Sequence, residues 1–342
     1  IEQGLWTSLS AAASPVHAMD LGAGPGIDQS LRRHMRLDRQ DADQQQLAWI
    51  VENKHLASVL QHALRKKISL GKITLVGGVD IDEIVTSQDR VVIEFKAGKP
   101  LKADLLIGCD GRHSKVRKLC FDDVKTATDY QRTALVAVLS HSQDHHQVAT
   151  QLFLEDGPVA LLPMTATSDG LTRSSMIWSA MPDWVRAMEM LDQATMTETL
   201  SRRLQSITGK IHHVAGLASY PLHAGISAQF TGEAVVLMGD AAHAVHPLAG
   251  QGFNLAIGDI AALGNCLSNA QHLGQAIGSR FALKPYNQAR KIEAQKIFML
   301  TDGLHRLFGH QKIILPGLKS WAFPILNTAG PLKRWLIQAA LS

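Results

Sequence analysis

Two apolar runs, each delivering an aspartate beside a glycine, constrain the fold of this chain more than any other feature. Leu105-Leu106-Ile107-Gly108 leads into Cys109-Asp110-Gly111, and Ala234-Val235-Val236-Leu237-Met238 leads into Gly239-Asp240. Short continuous apolar runs suit strands covered on both faces, as in a parallel sheet. Open α/β sheets bind ligands at the carboxyl ends of such strands. A carboxylate there accepts hydrogen bonds from sugar-type hydroxyls, and glycine lets a backbone or ligand approach closely. Beyond Asp240, Pro247 stiffens the loop and Gly250-Gln251-Gly252 turns it into a helix expected over residues 251–267. The free N–H groups and positive end of that helix would face the crevice. Beyond Asp110, Ser114 and Arg117 stand at helical spacing, with Arg117 suited to a phosphate or to locking the turn on a carboxylate.

The stretch between the two motifs reads differently. Strands are expected at 135–139, 148–154, 159–162 and 174–180, dense enough for a mainly antiparallel sheet. Helices at 182–206 follow, with Trp184, Met188, Leu191, Leu200 and Leu204 at helical spacing. Before the first motif come an apolar run at 47–51, a helix from Asn53 and strands at 73–76 and 90–95. The fold class is therefore α/β: a dinucleotide-type domain interrupted by a β-rich substrate domain, with helices at the C-terminal end. The expected boundaries are 1–128 and 231–280 for the two parts of the first domain, 129–230 for the insertion and 281–342 for the helical end.

Composition narrows the functional classes. With 342 residues, 46% hydrophobic and 19% charged, the chain can bury a core in about two domains. This excludes disordered, collagen-like and disulfide-scaffold classes. No apolar run reaches the roughly 18–20 residues that span a bilayer. The net charge is +4, but residues 280–342 alone carry +8 and the remainder −4. A basic end on a mildly acidic body suggests an anionic surface as partner, and no recognised module points to nucleic acid. Cys109, Cys120 and Cys266 are odd in number and lack metal spacing, which fits a reducing compartment. Among sixteen histidines, His141, His145 and His146 are expected in a polar loop and His212-His213 as an exposed pair, with no metal role. No Ser or Cys stands in a nucleophile-elbow context, which argues against a hydrolase.

Taken together, CDGRHSKVR (109–117) and GDAAHAVHPLAGQGFNLAIGD (239–259) resemble the Asp-Gly and Gly-Asp motifs of the class A flavoprotein monooxygenases, the para-hydroxybenzoate hydroxylase fold. Within that family the chain is most similar to the ubiquinone-biosynthesis hydroxylases, through LAWIVENKHLASVLQHAL (47–64), GPVALLPM (157–164), SYPLHAGISAQF (219–230) and GPLKRWLIQAALS (330–342). The resemblance implies FAD as cofactor, with Asp240 at the ribityl chain behind Gly239. It implies Gly250, Gln251, Gly252 and Asn254 at the pyrimidine end, and Asp110 and Gly111 near the pyrophosphate, with Arg117 bracing the turn. Lys54, where the branch usually has Arg, becomes a cofactor-side point charge. Pro247 is placed beside the ring where dioxygen reacts, and His246 is an acid/base candidate. The implied reaction uses NAD(P)H and dioxygen to hydroxylate a polyprenylated phenol. The implied location is cytoplasmic and peripheral on the inner membrane. C-terminal helices with stripes at Ile297, Leu300, Leu304, Leu307 and Phe308, and at Leu332, Trp335, Leu336 and Ala339, would touch lipid or a quinone-biosynthesis complex.

Several positions depart from the family pattern. Gln151-Leu152 replaces a more usual Glu-Arg pair, and Ala256 and Gly258 stand where Gly and Arg are common. The family's opening strand, Gly-x-Gly-x-x-Gly turn and helix have no counterpart. Gly22-Ala23-Gly24-Pro25-Gly26 carries Pro25 and lacks a preceding apolar strand, so it is expected as a surface loop. The chain opens at Ile1 without methionine, and the expectation is an incomplete form short of about one β-α-β unit of roughly 30 residues. Two other readings stay open: a non-catalytic, truncated family member serving as a subunit of a quinone-biosynthesis complex, and a flavin oxidoreductase acting on another lipid.

Overall fold

A computed structural model describes residues 4–23, 32–87, 90–121, 124–154, 156–245 and 251–309. In chain order the first elements are α1 (Leu5–Ser10), β1 (Ser14–Val16), β2 (Ala18–Ala23), β3 (Arg32–Asp38), β4 (Ala48–Ile50) and α2 (Asn53–Ser69). Then come β5 (Ile81–Thr86), β6 (Val91–Phe95), β7 (Leu101–Ala103), β8 (Leu106–Gly108) and α3 (Lys115–Cys120). The central stretch holds β9 (Val124–His141), β10 (Val148–Leu154), β11 (Gly157–Met164), β12 (Thr172–Ala180), α4 (Pro182–Glu189), α5 (Gln193–Thr208) and β13 (Ile211–Ser227). The last part is β14 (Val235–Leu237), β15 (His243–Ala244), α6 (Gln251–His272) and α7 (Arg280–Gly309).

The chain divides into two compact units, one of residues 1–75, 131–221 and 306–341, the other of 76–130 and 222–305. The long strands β9 and β13 each contribute residues to both. In the first unit six strands lie in the order β9-β12-β11-β10-β2-β3. Every neighbouring pair is antiparallel except β10 with β2, which is parallel. One face of this sheet packs on α4 and α5, burying Leu135, Leu139, Leu152, Met176, Trp178, Leu200 and Leu204. Local chemistry sets the helix ends. Pro182 occupies the first turn of α4. Asp192 caps α5 by accepting the N–H of Ala194 at 2.9 Å and of Thr195 at 3.0 Å.

In the second unit β8 and β14 form a parallel pair, with Leu106, Ile107 and Gly108 opposite Val235, Val236 and Leu237. A three-stranded antiparallel sheet, β5-β6-β7, lies in the same unit. The core gathers Val91, Val116, Phe230, Val236, Leu237, Leu255, Leu263, Leu283 and Tyr286.

The structure corrects several expectations. Residues 73–76 form no strand; Ile73, Leu75 and Val76 are exposed, and the chain first becomes extended and paired at Ile81. The run is apolar, but nothing in this segment hydrogen-bonds to it as a ladder. Residues 18–23, grouped with the first part of the flavin domain by sequence, pair instead with β10 of the large sheet, and 32–38 pair with 18–23 beyond them. Gly22 and Ala23 belong to β2 rather than to a surface loop, and Gly22 is buried; residues 24–26 lie outside the described residues. His141 is not in a loop: it ends β9 and is buried, its Nε2 2.9 Å from Ser174 Oγ. His212 and His213 are exposed, but within β13. Among the described residues no group of three or more His, Cys, Asp or Glu could hold a metal, and no helix is long and apolar enough to cross a membrane. In the first C-terminal stripe Ile297 is buried within α7; the second stripe, 332–339, lies outside the described residues.

Candidate cofactor site

The second unit brings both strand-end motifs together. Two residues beyond the Gly108–Leu237 pair, the chain reaches Asp110 after one strand and Gly239 after the other. The Met238 N–H donates to Gly108 O at 2.9 Å, which holds the two ends level. Gly239 has φ +56° and Gly111 φ +79°, conformations that favour glycine. A Cβ added at Gly111 would meet no atom within 4 Å, so open space lies over that turn. The side chains of Asp110 and Asp240 are exposed, as is Asn254, while Gly252 is half-buried.

Each motif is tied to the helix behind it. Asp110 Oδ2 accepts the N–H of Lys115 at 2.6 Å and of Val116 at 3.2 Å, and so serves α3 as an N-terminal cap. Burial would raise the Asp110 carboxyl, but hydrogen bonds from Ser114, Val116 and Lys115 hold it below the ordinary carboxylate value. Ser114 Oγ accepts the Arg117 N–H at 2.9 Å. Arg117 braces the turn through backbone carbonyls. Its Nη1 donates to Ala241 O and its Nη2 to Arg112 O, both at 2.6 Å, joining the Asp110 loop to the Gly239 loop. Carbonyls at a tight turn lack helix or sheet partners, and a guanidinium with a forked donor set satisfies two of them at once.

Behind the second loop lies a network that the motifs did not reveal. Asp259, fully buried in α6, accepts the Gly239 N–H at 2.8 Å, faces His243 Nε2 at 2.7 Å and accepts Arg290 Nε at 2.7 Å. Arg290, from α7, also donates to Leu255 O at 2.9 Å. Burial would push the Asp259 carboxyl up; the hydrogen bond and charge of His243, with Arg290 and the Gly239 N–H, hold it down. Tyr286 donates its hydroxyl to Leu237 O at 2.9 Å, and burial pushes its ionisation well above the ordinary phenol value. His243 is wholly enclosed in this network. A sequence signal for Asp259 existed: it is the one charged residue of α6 in a run that is otherwise apolar or neutral. Arg290 sits among other basic residues and carries no comparable mark.

The remaining candidates divide as follows. Gln251 begins α6. Lys54 is exposed near the start of α2, in the first unit. His246, Pro247 and Gly250 lie outside the described residues. The donor set fits a flavin nucleotide. Exposed carboxylates at two adjacent strand ends can accept ribose or ribityl hydroxyls, and an open glycine turn gives a pyrophosphate access to backbone.

A family model described as an FAD binding domain matches residues 2–301. The ubiquinone hydroxylase UbiL of Rhodospirillum rubrum is 28% identical over 99% of this chain and 75% of its own length. The 3-demethoxyubiquinol 3-hydroxylase of Escherichia coli is 29% identical over 90% of this chain and 76% of its own length. Among solved structures, the p-nitrophenol 4-monooxygenase PnpA of Pseudomonas putida superposes with a TM-score of 0.73 at 19% identity, covering 99% of this chain and 84% of that one. That degree of likeness establishes the fold.

Proposed function

Since the chain belongs to the FAD-binding-domain family, we propose that it is an FAD-dependent hydroxylase of ubiquinone biosynthesis, using NAD(P)H and dioxygen on a polyprenylated phenol. The observation that carries this reading is the paired strand end: exposed Asp110 and Asp240 on adjacent parallel strands, with the glycine turn of Gly111 open beside them.

When bound, FAD supplies hydride acceptance and the activation of dioxygen. The protein supplies the rest. Asp240 accepts hydrogen bonds from the ribityl hydroxyls, and its position follows from the Gly239 N–H held by Asp259. Gly111 leaves room for the pyrophosphate while Asp110 keeps the first turn of α3 intact. Arg117 fixes the two loops to each other, so neither strand end moves independently of the other. Gln251, Gly252 and Asn254, at the start of α6, would hold the pyrimidine end of the flavin. By the family resemblance, Gly250 and Pro247 would also belong to the cofactor site and His246 would be its acid/base candidate; all three lie outside the described residues. The basic C-terminal region, +8 over residues 280–342, suits an anionic membrane surface, where a polyprenylated substrate resides.

The test is turnover. Purified protein reconstituted with FAD should oxidise NAD(P)H faster when a polyprenylated phenol is added, and the product should gain one oxygen by mass spectrometry. Phenol-independent oxidation with no oxygenated product would defeat the reading.

A further inference from the structure

A cavity of about 250 Å³ lies within the first unit, on the sheet face that carries α4 and α5. Its floor is a single row of cross-strand partners: Arg36 on β3, Asp20 on β2, Thr150 on β10 and Leu161 on β11. The same row continues as Met176 and Ala137, which are buried in the core beneath the helices. α5 reaches the cavity only with its last residues, Ile207 and Thr208, so at the β2–β3 end the row borders a cavity instead of a helix.

The lining sets two opposite charges side by side. Asp20, its side chain 7% exposed, faces Arg36 Nη1 at 3.3 Å, and the Arg36 side chain is 54% exposed. Charged partners that are fully spent on each other close to about 2.7–2.9 Å, and a guanidinium and a carboxylate each have sites for several partners. The pair therefore keeps capacity for a ligand. Asp144, exposed at the rim, adds a second negative charge. The histidines of the wall are neutral. Burial lowers the basicity of His141, and His145 accepts the Gln147 N–H at Nδ1 while its Nε2 faces Met164 O. His141 spends Nε2 on Ser174 Oγ, and its buried Nδ1 has no hydrogen-bond partner among the described residues. The protein's own groups thus leave this wall incompletely satisfied. Val148, Leu161 and Ile207 give the cavity an apolar side.

We propose that this cavity binds a free α-amino acid with an aliphatic side chain, its ammonium on Asp20, its carboxylate on Arg36 and its side chain against Val148, Leu161 and Ile207. The two charges of such a ligand sit close together, as those of Asp20 and Arg36 do. A simple anion would lie against Asp20 and Asp144, and a simple cation against Arg36; a zwitterion meets each with the opposite sign. The negative end of α5, at Thr208, adds to the attraction for the ammonium. The volume is below the roughly 300–1,000 Å³ of pockets for drug-sized ligands, which suits a smaller guest. A divalent metal lacks its ligands, since among the described residues no group of three His, Cys, Asp or Glu could hold one. The proposal uses the first unit alone and stands independently of the hydroxylase reading.

The experiment is isothermal titration calorimetry of the full chain, with FAD present and at neutral pH, using three probes. These are leucine, 4-methylpentanoate, which lacks the ammonium, and 3-methylbutylamine, which lacks the carboxylate. The wild type should bind leucine at least about tenfold more tightly than either analogue. R36Q should lose about tenfold for leucine and for the acid while binding the amine unchanged. D20N should weaken leucine and the amine but not the acid. These opposite splits are not what loss of structure produces, and circular dichroism checks that each variant is folded. Should D20N not fold, R36Q, altered at a half-exposed side chain, decides alone. A wild type that binds no leucine, or binds either analogue as tightly, overturns the proposal. So does an R36Q that binds leucine like the wild type or loses all three probes alike.

Discussion

Replacing Asp259 with leucine tests the buried network behind the Gly239–Asp240 turn. Its carboxylate takes three close contacts, from the Gly239 N–H at 2.8 Å and from His243 and Arg290 at 2.7 Å. The Asp259 side chain is 0% exposed and that of Arg290 12%. D259L would leave a buried guanidinium without its carboxylate and an unpaired N–H at the turn. Removing one member of a buried ion pair costs about 3–5 kcal/mol, a large part of the roughly 5–15 kcal/mol that holds a typical domain folded. D259N keeps one acceptor oxygen and should cost about 1.5–3 kcal/mol, the worth of a charged hydrogen bond. The double variant D259L/R290L removes both charges and should cost at least about 1 kcal/mol less than the two single variants combined. The assay is urea unfolding of the wild type, D259L, D259N, R290L and the double variant, comparing midpoints and slopes. The pH sign follows from the lowered Asp259 value: its contribution is complete above the ordinary 3.8 and is lost as pH falls through the lower folded value. The wild type should therefore lose its advantage over D259N as the pH drops below 3.8. A D259L cost under about 1 kcal/mol, or strict additivity with R290L, would refute the reasoning.

Other substitutions probe the same unit. R117M removes the donors to Ala241 O and Arg112 O, and should lower stability by about 1.5–3 kcal/mol and weaken FAD binding together, measured by denaturation and by flavin-fluorescence titration. G239A forces a side chain into φ +56°, at a cost of about 1–2 kcal/mol seen as a lower Tm; its Cβ would meet Ala256 at an ordinary 3.5 Å, so the penalty is conformational. D110A should cost about 0.5–2 kcal/mol through loss of the α3 cap, read from the urea midpoint. G258A should destabilise despite the helical preference for alanine, because its Cβ would come within 2.9 Å of the pinned Arg290 guanidinium; a raised Tm would contradict that packing.

The strand-end motifs were legible because they are local: an apolar run, a glycine and an aspartate are adjacent in sequence, and β8 and β14 form where those runs lie. The central strands were legible for the same reason, down to Val148–Leu154. What escaped depends on distant partners. Residues 18–23 look like an unremarkable approach to a glycine-rich loop, and only the parallel register with β10 makes them sheet. The apolar character of residues 73–76 suggested a strand, but apolarity without a ladder partner does not make one. The carbonyl partners of Arg117 were not legible, because a carbonyl exposed by a turn elsewhere leaves no trace in the spacing around the arginine. Asp259 was marked by its solitude in α6, whereas Arg290 becomes special only when α7 places it opposite.

The most direct measurement is an FAD titration of the wild-type chain and D240A, with circular dichroism to confirm that both are folded. Asp240 is exposed, so its loss should spare the fold and fall on the ligand. The wild type should bind FAD at one per chain, and D240A should bind about ten- to a hundredfold more weakly, the equivalent of a charged hydrogen bond worth about 1.5–3 kcal/mol. A folded wild type that takes up no FAD, or a D240A that binds it equally well, would contradict the assignment of the paired strand ends as the cofactor site.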